Sequence, residues 1–272
     1  MYIIKASGKK EKFNQEKIFR TLIKAGAPRK LASEIVSQVE SKVKDGTTTK
    51  QILDSALKLL RERNPEIEAR YDLKRAVMSL GPTGFPFEKY FAEILKKYGY
   101  ETKVGEILKG TLTSHEIDII ATKDSKKYMI EVKYHNAQGI YTKLKVALYV
   151  YARFLDLKKQ FYQAWIATNT RMSKQSIIYA KGMSIKITSW EHPKGESLIE
   201  LIEKKKLYPI TILKSVDNKT KHQLSNSHLV LASNLLKTDI NELKRKTGIP
   251  INVLRQIVGE ARKICDKGNK NG

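Results

Sequence analysis

Two charged residues interrupt an otherwise apolar segment near the middle of the chain, and this segment constrains the fold strongly. Residues 128–134 read Tyr-Met-Ile-Glu-Val-Lys-Tyr, which is typical of a β-strand because apolar and β-branched residues fill it. Alternate side chains of a strand share a face, so Glu131 and Lys133 are predicted to point the same way while their neighbours enter a core. Charged side chains at the end of a buried strand are energetically unfavourable without a partner, and a bound metal ion would be a suitable partner.

A second acidic residue lies in the strand-like segment just upstream. Residues 115–120 read His-Glu-Ile-Asp-Ile-Ile, and a short polar stretch predicts a turn between the two segments. Asp118 precedes Glu131 by 131 − 118 = 13 residues, which suits adjacent hairpin strands whose ends meet. Residues 87–98 carry apolar side chains at the spacing of an amphipathic helix, with Glu88 at the border of the apolar stripe. We therefore expect Glu88 to lean over the edge of the sheet.

A helical Glu, then an Asp, then Glu-x-Lys on a hairpin resembles the PD-(D/E)xK nuclease superfamily. Its Mrr-like restriction endonucleases and archaeal Holliday junction resolvases are the most similar members, and the resemblance covers roughly residues 85 to 192. The following segments predict a helix near 144–157, a strand at 164–168, a helix capped by Ser173 and a strand at 184–190. Strand, helix and strand in this order imply a right-handed parallel crossover. The expected fold is thus α/β with a mixed, restriction-endonuclease-like sheet.

The resemblance implies a metal-dependent DNA endonuclease of repair, recombination or restriction. By position, the catalytic set is Glu88, Asp118, Glu131 and Lys133, and the metal ligands are Asp118, Glu131, Glu88 and the backbone carbonyl of Val132. Oxygen is the ligand atom that Mg²⁺ or Mn²⁺ prefers. The ion would polarise the scissile phosphate and activate a water, and Lys133 would orient that water or stabilise the charged transition state. One-ion and two-ion mechanisms both remain open.

Some neighbouring polar residues are weaker candidates. Glu116 shares the strand face of Asp118, and it is either an alternative ligand to Glu88 or a solvated residue at the strand end. His115 is a candidate phosphate contact or simply an exposed histidine beside a turn, and Gln163 and Lys174 are candidates for DNA contact or for support of the ligands. Tyr134 and His135 are expected to end the strand.

The first 80 residues carry a second pattern. Residues 3–18 read Ile-Ile-Lys-x-x-Gly-x-x-Glu-x-Phe-Asn-x-x-Lys-Ile, and this small predicted hairpin is followed by helical patterns. A hairpin, four short helices and this motif resemble the ATP-cone, the nucleotide-sensing module of ribonucleotide reductases. By position, the family's phosphate and base contacts fall on Ile3, Lys5, Glu11, Asn14, Lys17 and Thr49. Where the family usually has Lys-Arg this chain has Lys5-Ala6, so one phosphate contact is missing.

The expected nucleotide, ATP or dATP, is a regulatory ligand. Lys5 and Lys17 can neutralise a triphosphate, and the helix that begins after Asn14 presents backbone N–H groups. The chain has no Gly-x-x-x-x-Gly-Lys-Ser/Thr loop, so hydrolysis of the P-loop kind is not supported. We expect the nucleotide to shift a conformational or oligomeric equilibrium. The alternative is a small helical domain whose lysines are only solvated.

The C-terminal region predicts a small all-α domain. Residues 247–250 read Thr-Gly-Ile-Pro between two helical patterns, which resembles a helix-hairpin-helix module whose turn presents N–H groups to a DNA phosphate. The expected DNA contacts are Lys174, Lys244, Arg245, Lys246, Gly248 and Arg255. A small helical dimerisation unit is the alternative. The predicted organisation is an ATP-cone at 1–82, a nuclease domain at 85–206, a linker at 207–227 and the DNA-binding domain at 228–267.

The charge of the chain points to nucleic acid as a partner. Lys and Arg number 52 against 28 Asp and Glu, so the net charge is +24, which attracts phosphate backbones, although a merely solvated basic surface would give the same number. No apolar run of membrane-spanning length and no signal peptide occurs, and the one cysteine excludes an intrachain disulfide. We expect a cytoplasmic homodimer or higher homo-oligomer without membrane contact. A nucleotide-sensing DNA-binding regulator without cleavage activity and an RNA-directed nuclease are the alternative functions.

Overall fold

The computed structural model of the protein describes residues 1–5, 8–25, 27–81, 83–137 and 139–266. It divides into two compact units, Met1–Lys74 and Arg75–Gly272. The predicted first domain, 1–82, extends past this boundary, and its last residue lies outside the described ranges. Within those ranges, no helix is long and apolar enough to cross a bilayer.

The first unit is a small hairpin followed by helices, as the sequence predicts. β1 (Tyr2–Ile4) pairs antiparallel with β2 (Lys10–Lys12). The helices are α1 (Gln15–Ala25), α2 (Arg29–Glu40), α3 (Thr49–Arg63) and α4 (Pro65–Met78), the last of which crosses the boundary between the units. The apolar faces of α1, α2 and α3 meet in one core around Leu22, Ile35 and Leu60. Thr48 and Gln51 form a reciprocal capping box that fixes the start of α3.

The second unit begins with a mixed α/β domain. Its elements are α5 (Phe85–Lys97), β3 (Glu101–Lys109), β4 (Ser114–Lys123), β5 (Lys126–Lys133), β6 (Tyr141–Thr142), α6 (Leu144–Leu157), β7 (Gln163–Thr168), β8 (Arg171–Met172), α7 (Lys174–Gly182), β9 (Lys186–Thr188) and α8 (Leu198–Lys205). The sheet order is β3-β4-β5-β7-β9, antiparallel from β3 to β5 and parallel from β5 to β9. β6 and β8 form a separate parallel pair. The predicted order of elements and the mixed sheet are confirmed.

Helices cover both faces of this sheet. On one face, α6 and α7 pack over the central strands in a core that includes Val150, Ile166 and Ala180. On the other, the ring of Phe91 in α5 meets the ring of Trp165 in β7 edge-on, with 5.8 Å between the ring centroids. Because side chains alternate along β7, these two contacts lie on opposite faces. The centre of the sheet is therefore apolar on both sides, and charged residues belong at the strand ends.

The polar stretch after α8 is not a linker, so the prediction for residues 207–227 is wrong. It contains a 3₁₀ turn (Ile210–Ile212) and α9 (Asn218–Asn226), which Asp217 caps by accepting from the Thr220 N–H. Leu213 and Leu224 are buried in one core with α10 (Ala232–Leu236), α11 (Ile240–Thr247) and α12 (Ile251–Asp266). These apolar residues are too far apart in sequence to form a local pattern. The helical region therefore begins near residue 208, and the predicted last residue of the domain, Lys267, lies outside the described residues.

Candidate functional site

Two carboxylates lie at neighbouring positions where the β4–β5 hairpin ladder ends. The ladder pairs Ile119 with Ile130, and Asp118 and Glu131 are the next residues on the two strands. The backbone N–H of Val132 donates to Oδ2 of Asp118 at 2.7 Å. The Asp118 side chain thus satisfies a backbone donor beyond the end of the ladder, and this bond fixes its carboxylate against β5.

The outer strand of the sheet has an unusual backbone beside this site. The flanking residues of β3 and β4 are paired, so Gly105 lies across from Asp118. Gly105 has a φ of +71°, which glycine adopts readily and residues with a Cβ atom rarely adopt. The pairing of β3 with β4 resumes at Glu106 without an inserted residue.

Arg153 of α6 also reaches the site and is absent from the predicted residues. Its Nη1 donates to Oε2 of Glu131, and its Nη2 donates to the backbone carbonyl oxygen of Glu116. Arg153 is only 8 % exposed, and its Nε finds no hydrogen-bond partner among the described residues. Its charge offsets part of the cost of burying neighbouring carboxylates. The sequence signal for it is a lone charge on the α6 stripe that also carries the buried Val150 and Leu157.

The acidic residues of the site have raised pKa values. Burial raises the pKa of Asp118 by more than the Val132 N–H and the Arg153 charge lower it. Burial and then the charge of Asp118 raise the pKa of Glu131, although Arg153 acts in the opposite direction. The pKa of Glu88, in the first turn of α5, rises to about 7 through burial and then the charges of the neighbouring acids. Such a cluster of disfavoured negative charges is one that a cation would stabilise.

The predicted catalytic residues are only partly brought together. Lys133 ends β5 in an exposed position, and its charge lowers the pKa of both Asp118 and Glu131. Over the described part of the chain, no group of three or more His, Cys, Asp or Glu side chains is arranged to hold a metal ion. The predicted ligand set with Glu88 as a third carboxylate is therefore not formed. Two carboxylates nevertheless suit Mg²⁺, which usually binds through one or two carboxylates and keeps several waters.

Two of the weaker candidates make structural contacts. Nε2 of His115 lies 2.8 Å from Oδ2 of Asp156, so this histidine is held by α6 rather than exposed beside a turn. Nε2 of Gln163 donates to the backbone carbonyl oxygen of Ser184 at 2.7 Å, which ties the start of β7 to the residues before β9. Lys174 begins α7 and is exposed to solvent. Of these three, Lys174 remains a predicted DNA contact.

The first unit brings several predicted nucleotide contacts together. Nζ of Lys17 donates to the two carboxylate oxygens of Glu11 at 3.0 and 2.9 Å, and Nζ of Lys5 lies 2.8 Å from Oε2 of the same residue. Hydrogen bonds from Lys5 and then Lys17 lower the pKa of Glu11. Oδ1 of Asn14 accepts from the Glu16 N–H at 2.9 Å at the start of α1. Two ammonium groups thus contact one carboxylate, and Asn14 caps the helix that carries one of them.

An open cavity lies at the start of α1. Its volume is about 490 Å³, and it is lined by Lys12, Phe13, Asn14, Gln15, Glu16 and Glu40, so it borders the predicted contact Asn14 but is not lined by Lys5, Glu11 or Lys17. Ile3 is 5 % exposed and packs in the core, so a ligand could meet only its backbone. The Ile4 N–H donates to the Thr47 carbonyl oxygen at 3.0 Å, which holds the segment before α3 against β1. Thr49 is the first residue of α3 and is partly exposed beside that contact.

The turn between α11 and α12 does not offer the N–H groups that the sequence suggests. Gly248 ends α11 in the left-handed conformation, with a φ of +67°, and its N–H donates to the Lys244 carbonyl oxygen at 2.8 Å. The Ile249 N–H donates to Oγ1 of Thr247 at 3.2 Å. The predicted role of Gly248 as a DNA contact through its N–H is therefore corrected, since this glycine caps a helix. The four cations predicted to contact DNA here, Lys244, Arg245, Lys246 and Arg255, are exposed, and Lys246 pairs with Glu242 at 2.6 Å.

Comparison with protein families divides the chain into three parts. The ATP cone domain matches residues 1–77, the restriction endonuclease family matches residues 82–207, and the family described as AF1548-like, C-terminal, matches residues 208–265. The third match agrees with the observed start of the helical region. The helix-hairpin-helix assignment stays a prediction.

Individual relatives match about two thirds of the chain. An uncharacterized protein of Archaeoglobus fulgidus is 40% identical over 174 residues, which are 64% of this chain and 98% of that protein. The crystal structure of a protein of unknown function, AF1548, has a TM-score of 0.62 and 37% identity, over 68% of this chain and 100% of that one. The structure of Can2 from Sulfobacillus thermosulfidooxidans in complex with cyclic tetra-adenylate has a TM-score of 0.33 and 12% identity over 66% of this chain and 60% of that one, which is too low to indicate a shared fold. The chain belongs to the family of the Archaeoglobus fulgidus protein, and it combines an N-terminal ATP-cone with a restriction endonuclease-like domain and an AF1548-like C-terminal domain.

Proposed function

We propose that the protein is a metal-dependent DNA endonuclease whose activity or assembly is regulated by an adenine nucleotide. The observation that carries this proposal is the pair of half-buried carboxylates, Asp118 and Glu131, at the end of one hairpin beside the ammonium group of Lys133. Burial raises the pKa of both carboxyl groups by more than the charges of Arg153 and Lys133 lower it, so the charged forms would gain from a further positive charge. A divalent cation would supply it.

The residues present fit such an ion. Asp118, Glu131 and the backbone carbonyl of Val132 would hold Mg²⁺ or Mn²⁺ through oxygen. The ion, when bound, polarises the scissile phosphate and makes a water more acidic. Water and substrate phosphate would complete the coordination, because Mg²⁺ commonly binds through one or two carboxylates and keeps several waters.

The remaining catalytic work falls to side chains of the chain itself. Lys133 is exposed at the strand end, where its ammonium group can meet the phosphate and stabilise the negative charge that develops there. Arg153 holds the Glu131 carboxylate in place from the buried side and is a positioning residue. The hydrogen bond from Val132 does the same for Asp118. These contacts hold both carboxylates before substrate arrives, which lowers the cost of organising the site.

DNA binding is supported by charge. The net charge of +24 favours a polyanionic substrate, and contacts to phosphates by exposed lysines and arginines carry no sequence information. Lys174 in the nuclease domain and Lys244, Arg245 and Arg255 in the C-terminal domain are exposed cations suited to this role. A substrate chosen by shape rather than by base sequence fits this arrangement.

Regulation by nucleotide is supported by the cluster of Lys5, Glu11 and Lys17. A triphosphate would replace the Glu11 carboxylate as the partner of the two ammonium groups, and the start of α1 would add backbone N–H groups. Binding that prefers one conformational or oligomeric state would then shift the protein towards that state. A homodimer or larger homo-oligomer is the form in which we propose that this regulation acts.

The test is a cleavage assay across DNA shapes. Supercoiled, linear, branched and single-stranded DNA are incubated with the protein and Mg²⁺ or Mn²⁺, with and without ATP or dATP. Cleavage of at least one shape that needs the metal and changes with nucleotide supports the proposal. Binding without cleavage under every condition would instead favour a nucleotide-sensing DNA-binding regulator, and cleavage confined to RNA would identify a ribonuclease.

A further inference from the structure

Lysine and aromatic side chains alternate at the end of the sheet where β5, β7 and β9 begin. We call this surface the lysine–aromatic strip and define it as Tyr100, Lys123, Lys126, Tyr128, Tyr162 and Lys186. Strands β5, β7 and β9 run parallel, so their first residues lie at the same end of the sheet. Glu131 and Lys133 lie towards the other end of β5. Lys126 and Tyr128 are the first and third residues of β5, Tyr162 immediately precedes β7, and Lys186 begins β9.

The rings of the strip form a connected chain. The Tyr128 ring lies 5.9 Å from the Tyr100 ring and 5.8 Å from the Tyr162 ring, in both cases close to edge-on. The Tyr162 side chain is 58% exposed, although it is large and partly apolar. The Tyr162 N–H donates to the Lys127 carbonyl oxygen at 2.7 Å, which holds this exposed ring beside β5. The exposed Tyr162 ring, held at its backbone and packed edge-on against Tyr128, can serve as a stacking surface.

Lysine ammonium groups lie over several of these rings. The ammonium group of Lys126 lies 4.7 Å from the centroid of the Tyr162 ring, and that of Lys123 lies 5.1 Å from the Tyr100 ring. Lys186 lies 4.2 Å from the ring of the buried Trp165, and it also pairs with Glu196 at 3.4 Å. An exposed contact of this kind is weaker than the stacking of a base on an aromatic ring. A base could therefore displace Lys126 from Tyr162, and the ammonium group would stay beside the phosphate.

We propose that the lysine–aromatic strip binds an unpaired nucleic-acid strand. Unpaired bases can stack on the exposed ring while the lysines meet the backbone, which is the recurring arrangement of single-strand binding surfaces. A duplex cannot use the rings in this way because its bases are already stacked and paired. Tyr128 packs against Trp165 on the face of the sheet that α5 covers, whereas Glu131 meets Arg153 of α6 on the opposite face, so the strip is a binding surface separate from the carboxylates. The binding itself does not require the proposed cleavage chemistry.

The experiment measures binding without catalysis. Fluorescence anisotropy with a labelled oligothymidylate, and with the same strand paired to oligodeoxyadenylate, is recorded for the full chain in EDTA. The variants are Tyr162→Leu, which removes the ring, Tyr162→Phe, which keeps it, and Lys126→Gln. Matched controls are Tyr2→Leu, whose side chain is 57% exposed in the other unit, and Lys42→Gln, an exposed lysine of that unit.

The expected result is selective. Tyr162→Leu weakens single-strand binding by about fivefold or more and leaves duplex binding unchanged, since one lost stacking contact corresponds to at least that factor. Lys126→Gln reduces the slope of log affinity against log salt by about 0.7 for the single strand. Tyr162→Phe and both controls bind as the parent protein does. Single-strand binding that is unchanged in Tyr162→Leu, or a loss shared equally by strand and duplex, overturns the proposal, and neither result bears on cleavage.

Discussion

Replacement of Arg153 by Met should destabilise the second unit by about 3 kcal/mol at neutral pH. The side chains of Arg153 and Glu131 are 9% and 18% exposed, and loss of one partner from a buried ion pair typically costs about 3–5 kcal/mol. The Glu116 carbonyl oxygen would lose a donor as well, which adds about 1 kcal/mol. Removal of the unpartnered Nε and the packing of the methionine side chain in the same space return part of this cost.

The assay is urea unfolding followed by tryptophan fluorescence. The two tryptophans of the chain, Trp165 and Trp190, both lie in the second unit, so the signal reports on that unit alone. Arg171→Met is the matched control, because Arg171 is 53% exposed and pairs with Glu191 at the surface. Surface pairs of this kind contribute at most about 1 kcal/mol.

A double variant identifies the source of the effect. In Arg153→Met combined with Glu131→Gln the uncompensated charge is absent, so we expect the pair of substitutions to be less damaging than their sum by about 2 kcal/mol. A loss under about 1 kcal/mol for Arg153→Met would refute the reasoning. Strict additivity of the two substitutions would refute it as well, because the two charges would then not depend on each other.

Three further predictions concern proton binding, nucleotide and DNA. The pKa of Glu88 in the folded protein, about 7, lies above its ordinary 4.5, so stability falls as pH rises between those values. Glu88→Gln should therefore raise the free energy of unfolding above pH 7 by about 1 kcal/mol, a value already discounted for the partial exposure of Glu88. Below pH 4.5 the substitution should change it by almost nothing, and urea titrations at both pH values check this. Lys17→Ala should weaken ATP binding in calorimetry by about fivefold or more through loss of a charge-assisted contact, and unchanged affinity would count against the nucleotide site. Lys244→Gln with Arg245→Gln should reduce the salt slope of duplex DNA binding by about 0.9 for each lost phosphate contact, whereas an unchanged slope would remove these residues from the interface.

Local patterns in the sequence predicted the parts of the site that local rules control. Alternation along β4 and β5 indicated that Asp118 and Glu131 would meet, because the register of a hairpin determines which side chains are neighbours. The nucleotide residues Lys5, Glu11 and Lys17 are close in sequence, and the β1–β2 hairpin brings them together. The helical pattern likewise placed Glu88 near the carboxylates.

Contacts between distant segments were not predictable in the same way. Arg153 lies 153 − 131 = 22 residues after Glu131, and its contact depends on how α6 packs against the sheet. The burial of Leu213 and Leu224 depends on α10, α11 and α12, so a polar stretch that resembled a linker belongs to a core. A single charged residue on an apolar helix stripe was the available sign of Arg153, and it is easily passed over.

The most direct test of the nuclease site is the single-turnover rate of DNA cleavage in Mg²⁺ for Asp118→Asn, Glu131→Gln and Lys133→Met. Glu101→Gln is the matched control, because Glu101 is exposed at the start of β3, where it pairs with Thr122 rather than lying beside the carboxylates. We predict that each of the three substitutions lowers the rate by at least about 100-fold, since each removes a charge that acts on the transition state, while the control stays within a fewfold of the parent protein. Cleavage at the parent rate in either Asp118→Asn or Glu131→Gln would contradict the account.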